Sequence, residues 1–184
     1  MTLAIYHEGG STGEPEIGMQ HIARVIAERA KANRAEWGGS TICGVVFHKN
    51  KHNGKCQFTF VCKGRGVPQP TARGWEESKT VAQAELEGRN EGSSDAIRYY
   101  MNAPLSNPET ACKFRKEFVR VTAAGSHEFF REATIEERRD LAQRDWHDCH
   151  RYAAAAHKSR AKSRTFAGHH SKKKRYAGKT GRRG

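Results

Sequence analysis

No stretch of this sequence holds 18 consecutive apolar residues, so a helical membrane span is not expected. The opening residues, MTLAIYHEGG, carry neither the basic start nor the long apolar segment of a secretory signal, and export by that route is not expected either. The five cysteines (Cys43, Cys56, Cys62, Cys112, Cys149) contain no C-x-x-C spacing, which argues against a zinc knuckle. They are odd in number, so at least one is unpaired within the chain. Two disulfides are allowed, but free thiols are the default for a cytosolic setting. No internal repeat is present, and acidic residues are missing altogether from Lys158 to Gly184.

That last absence shapes the charge. The 184 residues carry a formal +13, but residues 158–184 hold 11 of the 33 Lys and Arg, leaving 22 basic against 20 acidic residues in the body. The body is nearly neutral, and the tail carries the field that points to an anionic partner such as DNA or lipopolysaccharide. Phe166 and Tyr176 are its occasional aromatic anchors. Such a segment is too polar to build a core and, beyond about Arg164, is expected to be disordered unless bound. The remainder is long enough for one ordinary core.

Along the body, residues 16–36 read as a first helix, with Pro15 suiting its N-terminus and Ile22, Val25, Ile26 and Ala30 at helical spacing. The β-branched run TICGVVF (41–47) and the alternating CQFTFVC (56–62) each read as a strand. Asn53-Gly54 between them is a hairpin signal. Residues 65–74 are loop, 75–87 a second helix closed by Gly88, 93–104 strand or irregular, and 108–118 a short helix. Thr134 and Glu137 form a capping box for a C-terminal helix whose one face would carry Ala142, Trp146, Cys149, Ala153 and Ala156.

Two constellations could carry chemistry. Cys43, His48, His52, Cys56 and Cys62 are zinc-ligand types, but their spacing across a hairpin favours buried thiols or a Cys43–Cys56 or Cys43–Cys62 pairing, and no metal or other cofactor is expected. The second is Glu8, behind Tyr6 and His7 and ahead of Gly9 and Gly10, which would keep the space around it clear. Gln57, Thr59, Trp75, Tyr99 and Tyr100 are the types that line a sugar cleft, where rings stack on sugar faces and amides or hydroxyls bond to hydroxyl groups. A carboxyl against such a wall is partly desolvated, holds its proton to higher pH and can donate it to a glycosidic oxygen. On periodicity alone these aromatics read equally well as core.

The order of the motifs resembles the SleB-type cell-wall hydrolases. IYHEGGSTGEPEIGMQHIARVIAERA is similar to that family's opening, a Tyr-x-Glu-Ala-Arg-Gly-Glu-like stretch followed by a helix ending in NR. TICGVVF and CQFTF, the Trp-led GWEESKTVAQAELEG, SDAIRYYMNAP and AAGSHEFFRE follow in the family's order, so the resemblance spans roughly residues 3–132. EGGSTGE stands where the family has EARGE, losing the Ala-Arg pair and adding two residues before Glu14, and Arg98-Tyr99-Tyr100 stands for HYH.

The resemblance implies a lysozyme-like α+β fold, mostly helical with a small β-hairpin wall, plus a long C-terminal helix and the basic tail. It divides the chain into a catalytic domain at 1–132, the helix at 133–164 and the tail at 165–184. It implies cleavage of the peptidoglycan glycan strand, often as a lytic transglycosylase, with Glu8 as the catalytic acid. Gln57, Thr59, Trp75, Tyr99, Tyr100 and Glu14 are expected around the substrate, and Glu14 is the partner acid if the reaction is plain hydrolysis. A small muralytic domain with a basic tail and no signal peptide looks most like a phage product, either an endolysin or a virion-associated lysin. It would sit in the virion, or in the host cytoplasm before release to the periplasm. The rival reading is a non-enzymatic virion or DNA-binding protein on the same scaffold, favoured by the loss of the motif's arginine.

Overall fold

The computed structural model describes residues 1–90 and 96–143. The outer part of the expected C-terminal helix and the whole basic tail lie outside the described residues. The elements run α1 (Thr2–Glu8), α2 (Glu16–Ala32), α3 (Ile42–Phe47), α4 (Thr59–Cys62), α5 (Trp75–Leu86), β1 (Tyr99–Asn102), α6 (Pro108–Glu117), β2 (Phe118–Ala124), β3 (His127–Glu132) and α7 (Ile135–Gln143), with 3-10 turns at Gly10–Thr12 and Ala35–Trp37. The architecture is α+β, as the sequence suggests.

The central element is α2. Its spacing places Ile22, Val25 and Ile26 on one face, all fully buried against α1, α3 and α5. Each such side chain contributes about 1.5–3 kcal/mol by leaving water. The helix stops at Ala32, short of the expected residue 36, because Asn33 adopts the left-handed conformation (φ 50°) and its N–H returns to the Ala30 carbonyl at 3.1 Å.

A three-stranded antiparallel sheet in the order β1-β3-β2 closes the body. Tyr100 pairs with Phe129 across β1 and β3, and both join the main core around α2. On the opposite face, Met101 and Phe130 meet Ala111, Phe114 and Phe118 in a smaller cluster under α6. Alternation along β1 therefore sends Tyr99 and Tyr100 to different cores.

The expected 43–62 hairpin wall is corrected. Residues 42–47 and 59–62 are helical, and all that remains of the hairpin is a single bridge, Lys49 to Cys56, around a turn in which Gly54 takes φ 68°. Thr41 decides the first case: its Oγ1 accepts from the Gly44 N–H at 2.9 Å and caps α3. In the second, a disulfide joins Cys56 to Cys62 with a Cα separation of 5.7 Å, across residues that a strand would hold much farther apart. It also corrects the expectation of free thiols and the alternative pairings through Cys43, which is an exposed free thiol. The capping box at Thr134 and Glu137 is present, with reciprocal bonds of 2.9 and 3.2 Å.

Candidate functional site

Glu8 is the last residue of α1, which is held by the buried Ala4 and Ile5 and closed by the Gly9 N–H bonding the Ile5 carbonyl at 2.9 Å. The glycines after it have a different job from the one the sequence suggests. A Cβ on Gly10 would lie 2.4 Å from Ser78 Oγ and 2.8 Å from the Gly74 carbonyl oxygen, and one on Gly74 (φ 78°) would lie 2.1 Å from the Gly10 oxygen. A Cβ on Gly9 would press on Ile22 and Met19 at 3.2 Å. These glycines let α1 pack onto α2 and the start of α5; they do not clear a cleft.

Around the half-buried Glu8 carboxyl stand Tyr100, whose hydroxyl is hydrogen-bonded to it, and three cations, Arg29, Arg65 and Lys63. Burial raises the Glu8 pKa above the usual carboxylate value, and the Tyr100 bond and the three positive charges partly offset that rise. Among the described residues, no acidic residue acts on Glu8. The Tyr100 hydroxyl is the enclosed end of its partly accessible ring, and burial with the neighbouring carboxylate pushes its own pKa well above the ordinary tyrosine value.

Arg29 is the residue the sequence reading missed. It is 7% exposed on the inner face of α2, seven residues after Ile22 and so on the same apolar stripe. Its Nε donates to the Arg98 carbonyl at 2.7 Å and its Nη1 to Gln57 Oε1 at 3.2 Å. The Gln57 amide nitrogen in turn donates to the Glu36 carbonyl at 2.9 Å. Gln57 therefore holds Arg29 behind Glu8, and its amide is already engaged on both sides.

The other expected residues divide. Trp75 is part-exposed and meets Tyr6 edge-on at 5.5 Å, while His7, one residue before Glu8, stacks on Phe60 at 4.8 Å and Phe60 meets the half-exposed Phe47. Trp75, Tyr6, His7, Phe60 and Phe47 thus form an aromatic row along the α1 side of the site. Thr59 is exposed at the start of α4.

Tyr99 lies on the far face of β1, stacked on Phe118 at 4.0 Å with its hydroxyl donating to Glu132 at 3.1 Å; burial and the Glu132 carboxylate raise its pKa to about 12. Glu14 is also turned away. Its side chain is 6% exposed and accepts from the Ser126 N–H at 3.0 Å and from the Ser126 hydroxyl, with His127 Nδ1 at 3.4 Å. Gly125 (φ 55°) leaves room for it, since a Cβ there would collide with Glu14 Oε2. This carboxylate fastens the β2–β3 turn to the entrance of α2. Among the described residues, no group of three or more His, Cys, Asp or Glu is placed to hold a metal ion.

A family model described as cell wall hydrolase matches residues 13–130, well over half the chain. The chain belongs to the cell wall hydrolase family. The matched span takes in Arg29, Gln57, Trp75 and Tyr100, and Glu8 lies five residues before it. No curated protein and no solved structure matches this cell wall hydrolase. Membership marks it as a muralytic enzyme with peptidoglycan as its substrate class.

Proposed function

We propose that this cell wall hydrolase cleaves the MurNAc–GlcNAc glycan strand as a lytic transglycosylase, with Glu8 as its single acid and base. The observation that carries this reading is the partly desolvated Glu8 carboxyl, with Tyr100 and Arg29 behind it and, among the described residues, no second carboxylate acting on it. Glycosidases that hydrolyse with two carboxyl groups hold them about 5–9.5 Å apart across the bond. Glu14, the next acid along the opening stretch, is engaged by Ser126 and His127.

In this mechanism Glu8 gives its proton to the oxygen linking MurNAc C1 to the next GlcNAc. The C1–O bond breaks and the GlcNAc leaves with a free hydroxyl. Glu8, now a carboxylate stabilised by Tyr100 and the cations, takes the proton of the MurNAc 6-hydroxyl as that oxygen bonds to C1. The product is a 1,6-anhydro end, no water is consumed, and Glu8 finishes protonated.

The opening turn has no arginine, the feature that favours a non-enzymatic scaffold. Arg29 from α2 supplies a guanidinium beside Glu8 instead, which supports the enzymatic reading. As a biological setting, a phage endolysin or virion-associated lysin fits the compact muralytic body joined to a basic segment suited to DNA or lipopolysaccharide. Mass spectrometry of fragments released from purified peptidoglycan tests the reaction: anhydro ends are expected, reducing ends would replace transglycosylation by hydrolysis, and no fragments would overturn the reading.

A further inference from the structure

Lys63 and Arg65 follow α4 on a short loop whose place beside Glu8 is fixed from three sides. The Cys56–Cys62 disulfide closes its start. The Lys63 N–H bonds the Thr59 carbonyl at 3.1 Å and the Arg65 N–H the Phe60 carbonyl at 3.0 Å. Beyond them, His7 Nε2 meets the Gly66 carbonyl at 3.1 Å, which ties the loop directly to α1 one residue before Glu8. Both cations are exposed, and among the described residues neither joins an ion pair. Arg29, the third cation near Glu8, is buried and committed to Arg98 and Gln57.

Two unpaired cations beside a general acid need a reason. They favour the carboxylate form of Glu8 and so oppose the burial that keeps it protonated. A neutral sugar would leave that opposition in place. An anion bound between them would cancel it and let the acid keep its proton while substrate is present. The sugars of a peptide-bearing glycan strand are uncharged at the bond to be cut; the negative charges of the polymer lie on the carboxylates of the stem peptides.

We infer that Lys63 and Arg65 form a subsite for a stem-peptide carboxylate, so that the enzyme selects glycan strands carrying charged stems. This rests on the reading of the chain as a glycan-strand-cleaving enzyme.

The test uses the full chain and two substrates: peptide-bearing peptidoglycan, and the same material with its carboxyl groups converted to neutral amides by carbodiimide and ammonia. The parent is expected to show a higher KM on the amidated form. Lys63→Gln/Arg65→Gln should raise KM about fivefold on the native form, the scale of two exposed ion pairs, and leave KM on the amidated form as in the parent, while kcat on both forms shifts together because these cations also act on Glu8. Lys51→Gln/Lys55→Gln, an equal charge loss on the exposed 50–55 turn, should leave both values as in the parent. Equal rises in KM on the two substrates, or the same rise from the turn variant, would overturn the subsite.

Co-sedimentation of Glu8→Gln protein with the two insoluble forms, with and without the Lys63 and Arg65 substitutions, separates the two readings. Carboxylate-dependent retention that needs these cations, in a parent that cuts neither substrate, would sink glycan cleavage and leave the subsite standing. Retention indifferent to the two cations would overturn the subsite whatever the parent cuts.

Discussion

Gln57 Oε1 receives Arg29 Nη1 at 3.2 Å, and through that bond a loop residue fixes a buried guanidinium behind Glu8. Gln57→Ala should leave one arginine donor unsatisfied in the interior, at a cost of about 1–3 kcal/mol. Urea unfolding should register that loss, and kcat on peptidoglycan should fall while KM changes little. A variant with raised KM and unchanged kcat would return Gln57 to the direct sugar contact suggested by its sequence context.

Glu8→Gln removes the proton and keeps the shape. Wall-lysis rate should drop about 100-fold or more, the usual scale of general acid catalysis. The same substitution should make the protein more stable at pH 7. The Glu8 pKa is raised on folding, so the native state binds more protons than the unfolded chain above the ordinary carboxylate value, and stability falls as pH rises through that window. A neutral amide escapes this loss. Parallel activity and urea-denaturation measurements check both halves; a destabilised Glu8→Gln protein would contradict the raised pKa.

Tyr100→Phe deletes the hydrogen bond that favours the Glu8 carboxylate. The acid should then hold its proton to higher pH, so the alkaline limb of the kcat/KM profile should move upward even as the peak rate falls. A limb that stays in place would mean that Tyr100 does not act on Glu8.

Glu14→Gln should affect stability more than chemistry, because its partners are Ser126 and His127 at the β2–β3 turn. Its lysis rate, corrected for the folded fraction, should remain within about tenfold of the parent, below the usual range for loss of a general acid. The neighbouring His127 has its pKa lowered by burial, against the pull of Glu14, and His21 is lowered by burial and by Arg24. For both, the unfolded chain binds the proton more readily. Stability should therefore fall as pH drops below about 6.5, the ordinary histidine value. Urea midpoints measured from pH 7.5 to pH 5 check the sign.

Gly74→Ala should cost about 1–3 kcal/mol for its left-handed backbone alone, and more because the new methyl meets the Gly10 carbonyl. Tm should fall by several degrees, with lysis activity falling along with the displaced end of α1.

Periodicity was a reliable guide where a helix was long or clearly bounded. The α2 stripe of Ile22, Val25 and Ile26, the Trp-led α5, the short α6 and the Thr134 capping box are all visible in the sequence. It failed at Ile42–Phe47 and Thr59–Cys62, because short β-branched runs fit a strand and a buried helical turn equally well. There the Thr41 cap and the Cys56–Cys62 bond decided. The seven-residue α1 was missed because no side chain caps it, and β2 and β3 because AAGSHEFFRE stood out as a motif without being read as strand. In the site, residue type singled out Glu8 and Tyr100, but which face of β1 holds Tyr99 depends on strand register. Arg29 was legible as a charge on an apolar stripe and went unread.

The contact between Gly10 and Gly74 also sets where this protein can grow. Ser11, Thr12 and Gly13 just beyond it are exposed, and the chain is gathered again at Glu14, whose N–H returns to the Gly9 carbonyl at 3.1 Å. That short exposed span lies between one anchor that accepts no side chain and another held by a backbone hydrogen bond. Length changes are thereby channelled into a blister of three residues, leaving the acid and the long helix in register. An engineer seeking a place to insert a tag or a recognition loop beside Glu8 has that seam to cut.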